Sequence, residues 1–176
     1  MRPFSGRLAD ISDLEARIHP AFNVVVGAAN ANAYEPQNIE HVQFSLTTHM
    51  AFALLGKGNG YAVHRDYLDG KIDMAQVMAI ARGIRIIEAP ELEQRYPGKF
   101  VADVTVTFRD GMSERVFVED PVGTLANPMS ENDQDAKFME LTAGVLGNER
   151  ARTLLAMLRK MDLRTKAADL TGMCTA

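Results

Sequence analysis

Hydrophobic and polar positions alternate from residue 13: Leu14, Ala16 and Ile18 fall on one side, Asp13, Glu15 and Arg17 on the other. A period of two predicts a strand with one wet face. His19-Pro20 should end it, because proline cannot donate to the ladder. Residues 22–26 form a short apolar run of undetermined type, and 27–38, rich in Ala, Asn and Gly, read as a loop. Residues 1–6 read as an unstructured lead-in.

The stretch 41–55, HVQFSLTTHMAFALL, predicts the entry into a buried helix, since almost every position from Leu46 onward is apolar. The segment 56–61 is glycine-rich but follows a helix and lacks phosphate-loop spacing, so it reads as a helix stop. Tyr67-Leu68 should be a short helical turn. Residues 73–82 predict a second helix, with Met74, Val77, Met78 and Ala81 on one stripe.

Three strand signals follow. Residues 84–87 are β-branched, and 90–97 predict a loop with a helical turn. Val104, Val106 and Phe108 alternate with polar neighbours, Asp110-Gly111 signals a hairpin, and Val116 and Val118 lie on the return strand. The last third is helical. Ser130 with Asp133 resembles a capping box ahead of Phe138, Leu141 and Val145, and Gly147 ends that helix. Ala151, Leu154, Leu155, Leu158 and Met161 form the stripe of another helix, and the tail after Lys166 should fray. The pattern as a whole predicts an α+β fold. It is a two-layer sandwich of about four mostly antiparallel strands with helices on one face, plus C-terminal helices, over residues 1–176 as a single domain.

Composition narrows the function classes. Hydrophobic residues are 47% and charged residues 24% of 176, as in ordinary globular proteins. A net charge of −4 without a basic stripe argues against nucleic-acid binding. No apolar run has the length of a membrane span, and no signal peptide is visible, so a cytoplasmic location is expected. The single cysteine, Cys174, allows no intramolecular disulfide.

Ser45, Thr48 and His49 fall at i, i+3 and i+4 and share one face of the first helical turns. A helix start favours an anion, and hydroxyls with an imidazole there could bind a carboxylate. The alternative is that Ser45 or Thr47 caps the helix and His49 is a core histidine. None of His19, His41, His49 and His64 pairs at HxxxH or HExxH spacing, so no metal site and no cofactor are expected. His64-Arg65-Asp66 matches a kinase triplet in letters only, in a chain too short for a kinase.

Four segments resemble, in order, the C-terminal half of MmgE/PrpD-type proteins, which include 2-methylcitrate dehydratase, cis-aconitate decarboxylase and iminodisuccinate epimerase. They are DISDLEARIHP (10–20), VQFSLTTHMAFALL (42–55), IRIIEAPELEQRYPGKFVADVTVTFRDG (84–111) and NPMSENDQDAKFMELTAGVL (127–146). The shared pattern is a strand ending in His-Pro, a QFS-L-P-Y-like helix start, a D-P-E-L-like turn, an Asp-Gly hairpin and a P-L-S-like cap before an A-K-F helix. The resemblance runs from about residue 10 to 162. It implies a large helical domain beside a smaller α+β domain, last helices that return towards the helical domain, and proton chemistry next to a carboxylate of a small polycarboxylate.

The departures matter as much. The resemblance implies catalytic Asp and His residues on a helical domain that has no counterpart here. It also implies a Lys–Tyr–Pro segment with a following His, where this chain has MRPFSGRLA. Thr47-Thr48 stands where many members have Pro-Tyr. No catalytic residue can therefore be carried over, and Ser45, Thr48 and His49 remain as a substrate-binding wall. The expectation is a C-terminal-domain protein that is inactive alone or half of a split lyase or isomerase. A separate helical subunit or a second copy would cover the stripe from Leu154 to Met161. The alternatives are a complete small enzyme using His49 with His19 or a carboxylate, and a non-catalytic small-carboxylate-binding or oligomerisation module.

Overall fold

The computed structural model describes residues 2–174, in two compact units that divide between Pro121 and Val122. The first unit holds a four-stranded sheet of β1 (Ile11–Ile18), β2 (Ile84–Glu88), β3 (Ala102–Phe108) and β4 (Ser113–Val118). The strand order is β2-β1-β3-β4. β1 runs parallel to β2 and antiparallel to β3, and β3 is antiparallel to β4, so the fold is α+β with mostly antiparallel pairing.

Register puts the alternation of β1 to use. Leu14 pairs with Ile84 and Val106, and Ala16 with Ile86 and Val104, so one face of the sheet is continuously apolar. The opposite face carries Asp13, Glu15 and Arg17 beside Arg85, Asp103 and Arg115. At the hairpin between β3 and β4, Gly111 takes φ +85, a left-handed conformation that glycine adopts without steric cost.

Helices α1 (Pro20–Val26), α2 (Ile39–Gln43), α3 (Leu46–Leu54), α4 (Tyr61–Leu68) and α5 (Met74–Ala81) connect β1 to β2. The stretch expected to open one helix is two, broken at Phe44 and Ser45: Asn38 caps α2 through His41 N, and Ser45 caps α3 through Thr48 N. α3 is apolar all round because it lies between two clusters. Met50 and Leu54 pack on Leu14, Ile84 and Val106 of the sheet. Ala51 and Phe52 pack on Val42, Val63 and Val77 of the outer helices. The run 22–26 resolves as α1, started by Pro20 and capped by His19 Nδ1, which accepts from Ala21 N at 3.0 Å. α1 ends at Gly27, where an added Cβ would stand 2.3 Å from Asn23 Oδ1, so only glycine fits.

Two expectations in this unit are corrected. The lead-in is a 3₁₀ segment over Arg2–Asp10, kinked at Arg7, and Phe4 is buried against the sheet beside Phe108; Met1 lies outside the described residues. Tyr67-Leu68 is not an isolated turn but the end of α4, which meets the second cluster through Val63 and, one turn on, Tyr67.

The second unit holds α6 (Glu131–Leu146), α7 (Asn148–Arg159) and α8 (Ala167–Cys174). Ser130 caps α6, accepting from Asp133 N at 3.1 Å. The tail expected to fray is α8, held to α7 by Arg150 donating to the Gly172 carbonyl at 3.2 Å. On α7, Ala151 and Leu154 are buried and Leu158 is exposed; the helix ends at Arg159, so Met161 of the expected stripe lies beyond it, also exposed, as are Leu141 and Val145 of α6. No helix is long and apolar enough to cross a membrane among the described residues.

Candidate functional site

α3 places the three residues singled out above in two different environments. Ser45, Thr47 and Thr48 are fully buried. The Ser45 and Thr47 hydroxyls both donate to the Ala33 carbonyl, the latter at 2.8 Å, and Ser45 Oγ lies in a 2.7 Å hydrogen bond with Thr48 Oγ1. Ser45 Oγ also accepts from Thr48 N at 3.1 Å. These hydroxyls close the helix start on itself and tie it to the preceding loop, as buried polar groups require.

His49 lies one residue further and half-buried, on the wall of an open cleft of about 490 Å³. The cleft occupies the part of the sheet's apolar face that α3 leaves uncovered, with Ile18, Phe22, Met50, Val104 and Val116 in its lining. Its size falls within the range of small-molecule pockets, about 300–1,000 Å³. Its polar side chains are those of His49 and Asn59; Arg17 and Asp103 border it along their strands, with their side chains on the opposite face of the sheet. Neither Ser45 nor Thr48 belongs to it.

On that opposite face the charges are already matched. Arg17 is hydrogen-bonded to Glu91, with Asp103 at 3.9 Å. Asp103, 3% exposed, receives both arms of Arg115 at 2.7 and 2.8 Å. That paired carboxylate holds the Arg115 guanidinium pKa above its ordinary value. His49 moves the other way: burial first, and His64 second, lower its pKa from 6.5, so the ring is a free base at neutral pH.

His64 on α4 is the partner that sequence reasoning missed. Its ring centroid lies 5.1 Å from that of His49, tilted by 57°. Fifteen residues and a helix boundary separate the two in sequence, so no local spacing could have revealed the pair. Its Nδ1 lies 3.0 Å from the Gly60 carbonyl, and since a carbonyl only accepts, Nδ1 carries the proton. Nε2 is then a lone pair, and it is buried without a hydrogen-bond partner.

The other two histidines stand apart from this pair. His19 caps α1 and packs among Phe22 and Tyr96, with ring centroids at 5.3 and 5.1 Å. His41 Nδ1 accepts from Gln37 N at 3.2 Å. The imidazole in ring contact with His49 is that of His64.

In chemical terms the site offers one neutral imidazole at the edge of an apolar cleft, with a second imidazole behind it. A polycarboxylate needs cations or free N–H donors, and the cationic residue bordering this cleft, Arg17, has its side chain on the opposite face of the sheet, engaged by carboxylates. A search of curated proteins found no match to the chain. The family comparison is informative: residues 1–163 match the MmgE/PrpD C-terminal domain. The order β1, helices, β2, hairpin and terminal helices, together with this match over most of its length, places the chain in the MmgE/PrpD family as a C-terminal domain.

Proposed function

We propose that this chain serves, over residues 1–176, as the C-terminal domain of a lyase or isomerase acting on small polycarboxylates. It has no turnover by itself and is completed by a helical domain, carried on the same protein or on a separate subunit. The observation that carries this reading is the state of the α3 start. The hydroxyls of Ser45 and Thr48 are buried and hydrogen-bonded within the chain, while His49 faces an apolar cleft whose bordering cation, Arg17, is turned to the opposite face of the sheet and paired there. Such a surface can form one wall of an anion site, with the remaining cations and the acid–base pair supplied across an interface.

The exposed Leu141, Val145, Leu158 and Met161 of the second unit fit the same reading. Apolar side chains at helical spacing favour cover by a helical subunit or a second copy.

Titrating citrate into the isotope-labelled chain tests the binding half of the proposal. The expected result is no saturable amide shift at Ser45, Thr48 or His49. Saturable shifts confined to those residues would instead establish a self-sufficient carboxylate-binding module.

A further inference from the structure

We propose that His49 and His64 together form a binding site for a divalent transition-metal ion of the zinc type, with its remaining coordination positions open to water or an exogenous carboxylate. Three observations converge on the pair. The ring centroids are 5.1 Å apart. Two imidazoles bound to one tetrahedral ion, at Zn–N of about 2.0–2.1 Å, place their ring centres about 5 Å apart, the separation these two rings have.

The second observation is the orientation of His64. Its Nδ1–H donates to the Gly60 carbonyl at 3.0 Å, which fixes the tautomer and leaves Nε2 as the ligating lone pair. A backbone carbonyl behind the non-ligating nitrogen is how metal-bound imidazoles are commonly held. The third is that this Nε2 is buried with no hydrogen-bond partner. An orphaned buried acceptor is costly unless something fills it, and a metal ion does so directly.

His49 completes the pair from the wall of the cleft. No group of three or more His, Cys, Asp or Glu side chains converges among the described residues. Two imidazoles would therefore hold the ion alone, with micromolar affinity and an open coordination sphere. Imidazole donors without thiolate or a carboxylate cage favour zinc, nickel or copper over magnesium or calcium. This inference does not depend on the polycarboxylate reading, because it concerns the ion alone.

The test is Zn²⁺ titration of the untagged, EDTA-dialysed chain, followed by calorimetry and by ¹H–¹⁵N spectra of the histidine rings. A single Zn²⁺ is expected to bind in the micromolar range and to shift the rings of His49 and His64 together, leaving His19 and His41 unmoved. His49→Gln and His64→Gln should each weaken binding about tenfold or more, and His41→Gln should not. Absence of binding, or shifts centred on His19 or His41, overturns the proposal. The wild-type ring spectra decide the matter even if a variant fails to fold.

Discussion

Arg115 on β4 grips both carboxylate oxygens of Asp103 on β3, at 2.7 and 2.8 Å, on the sheet face that bears the charged side chains. Asp103 is the ionisable side chain among the buried polar residues of the described chain, and Arg17 approaches it from β1 at 3.9 Å. Three neighbouring strands are thereby tied through one carboxylate.

A buried charge that loses its partner is penalised more than a pair that is removed together. Arg115→Ala alone should lower the urea midpoint. Adding Asp103→Asn should recover part of that loss, so the double-mutant cycle is non-additive. Simple additivity in urea melts would show that the contact contributes nothing.

Ser45 joins a cap to two buried hydroxyl contacts. Ser45→Ala should destabilise the chain by about 1–2 kcal/mol, read by urea unfolding. A change indistinguishable from zero would mean that the hydroxyl network of α3 is not structural.

Stability should also carry a signature of His49. Its folded pKa lies below the ordinary 6.5, so the unfolded chain takes up the proton first as the pH falls. The contribution of the neutral ring is complete above about 6.5 and is lost as the pH falls from there through the lowered folded value. Unfolding free energy should therefore drop between pH 7.5 and 5.5 in the wild type, and less steeply in His49→Gln. Equal slopes would contradict the burial of this imidazole.

Phe52 and Leu158 should differ sharply. Phe52 is fully buried between helices, and Phe52→Ala should cost about 3–5 kcal/mol. Leu158 is 38% exposed, and Leu158→Ser should change the stability of the chain by less than about 0.5 kcal/mol. Light scattering should then show a smaller average mass for a Val145→Ser, Leu158→Ser variant if a second copy covers that face.

Much of this architecture is legible in sequence where one local rule acts alone. Leu14, Ala16 and Ile18 announce β1 by period, Asp110-Gly111 the hairpin, and Ser130 with Asp133 the start of α6. The all-apolar run after Leu46 signals burial, and two clusters on either side of α3 account for it. What escaped depends on tertiary contact. α4 meets the core through Val63 and Tyr67, one i, i+4 pair too short to read as a stripe. Phe4 gains its helical surroundings from the sheet beneath it. The His49–His64 pair exists only because the folded chain brings the two rings together, and the buried hydroxyls of Ser45 and Thr48 look like ligands until Ala33 is brought beside Ser45, whose Oγ in turn engages Thr48.

A chain that supplies one wall of a polycarboxylate site, and not the whole reaction, should leave such a substrate unchanged by itself. The most direct measurement is ¹H NMR of 2-methylcitrate, and separately of cis-aconitate, with the chain alone in D₂O. The account predicts unchanged substrate signals, with neither turnover nor solvent-deuteron incorporation next to a carboxylate. Turnover, or deuterium incorporation that disappears in His49→Gln, would contradict it and place a complete proton-transfer site within these residues.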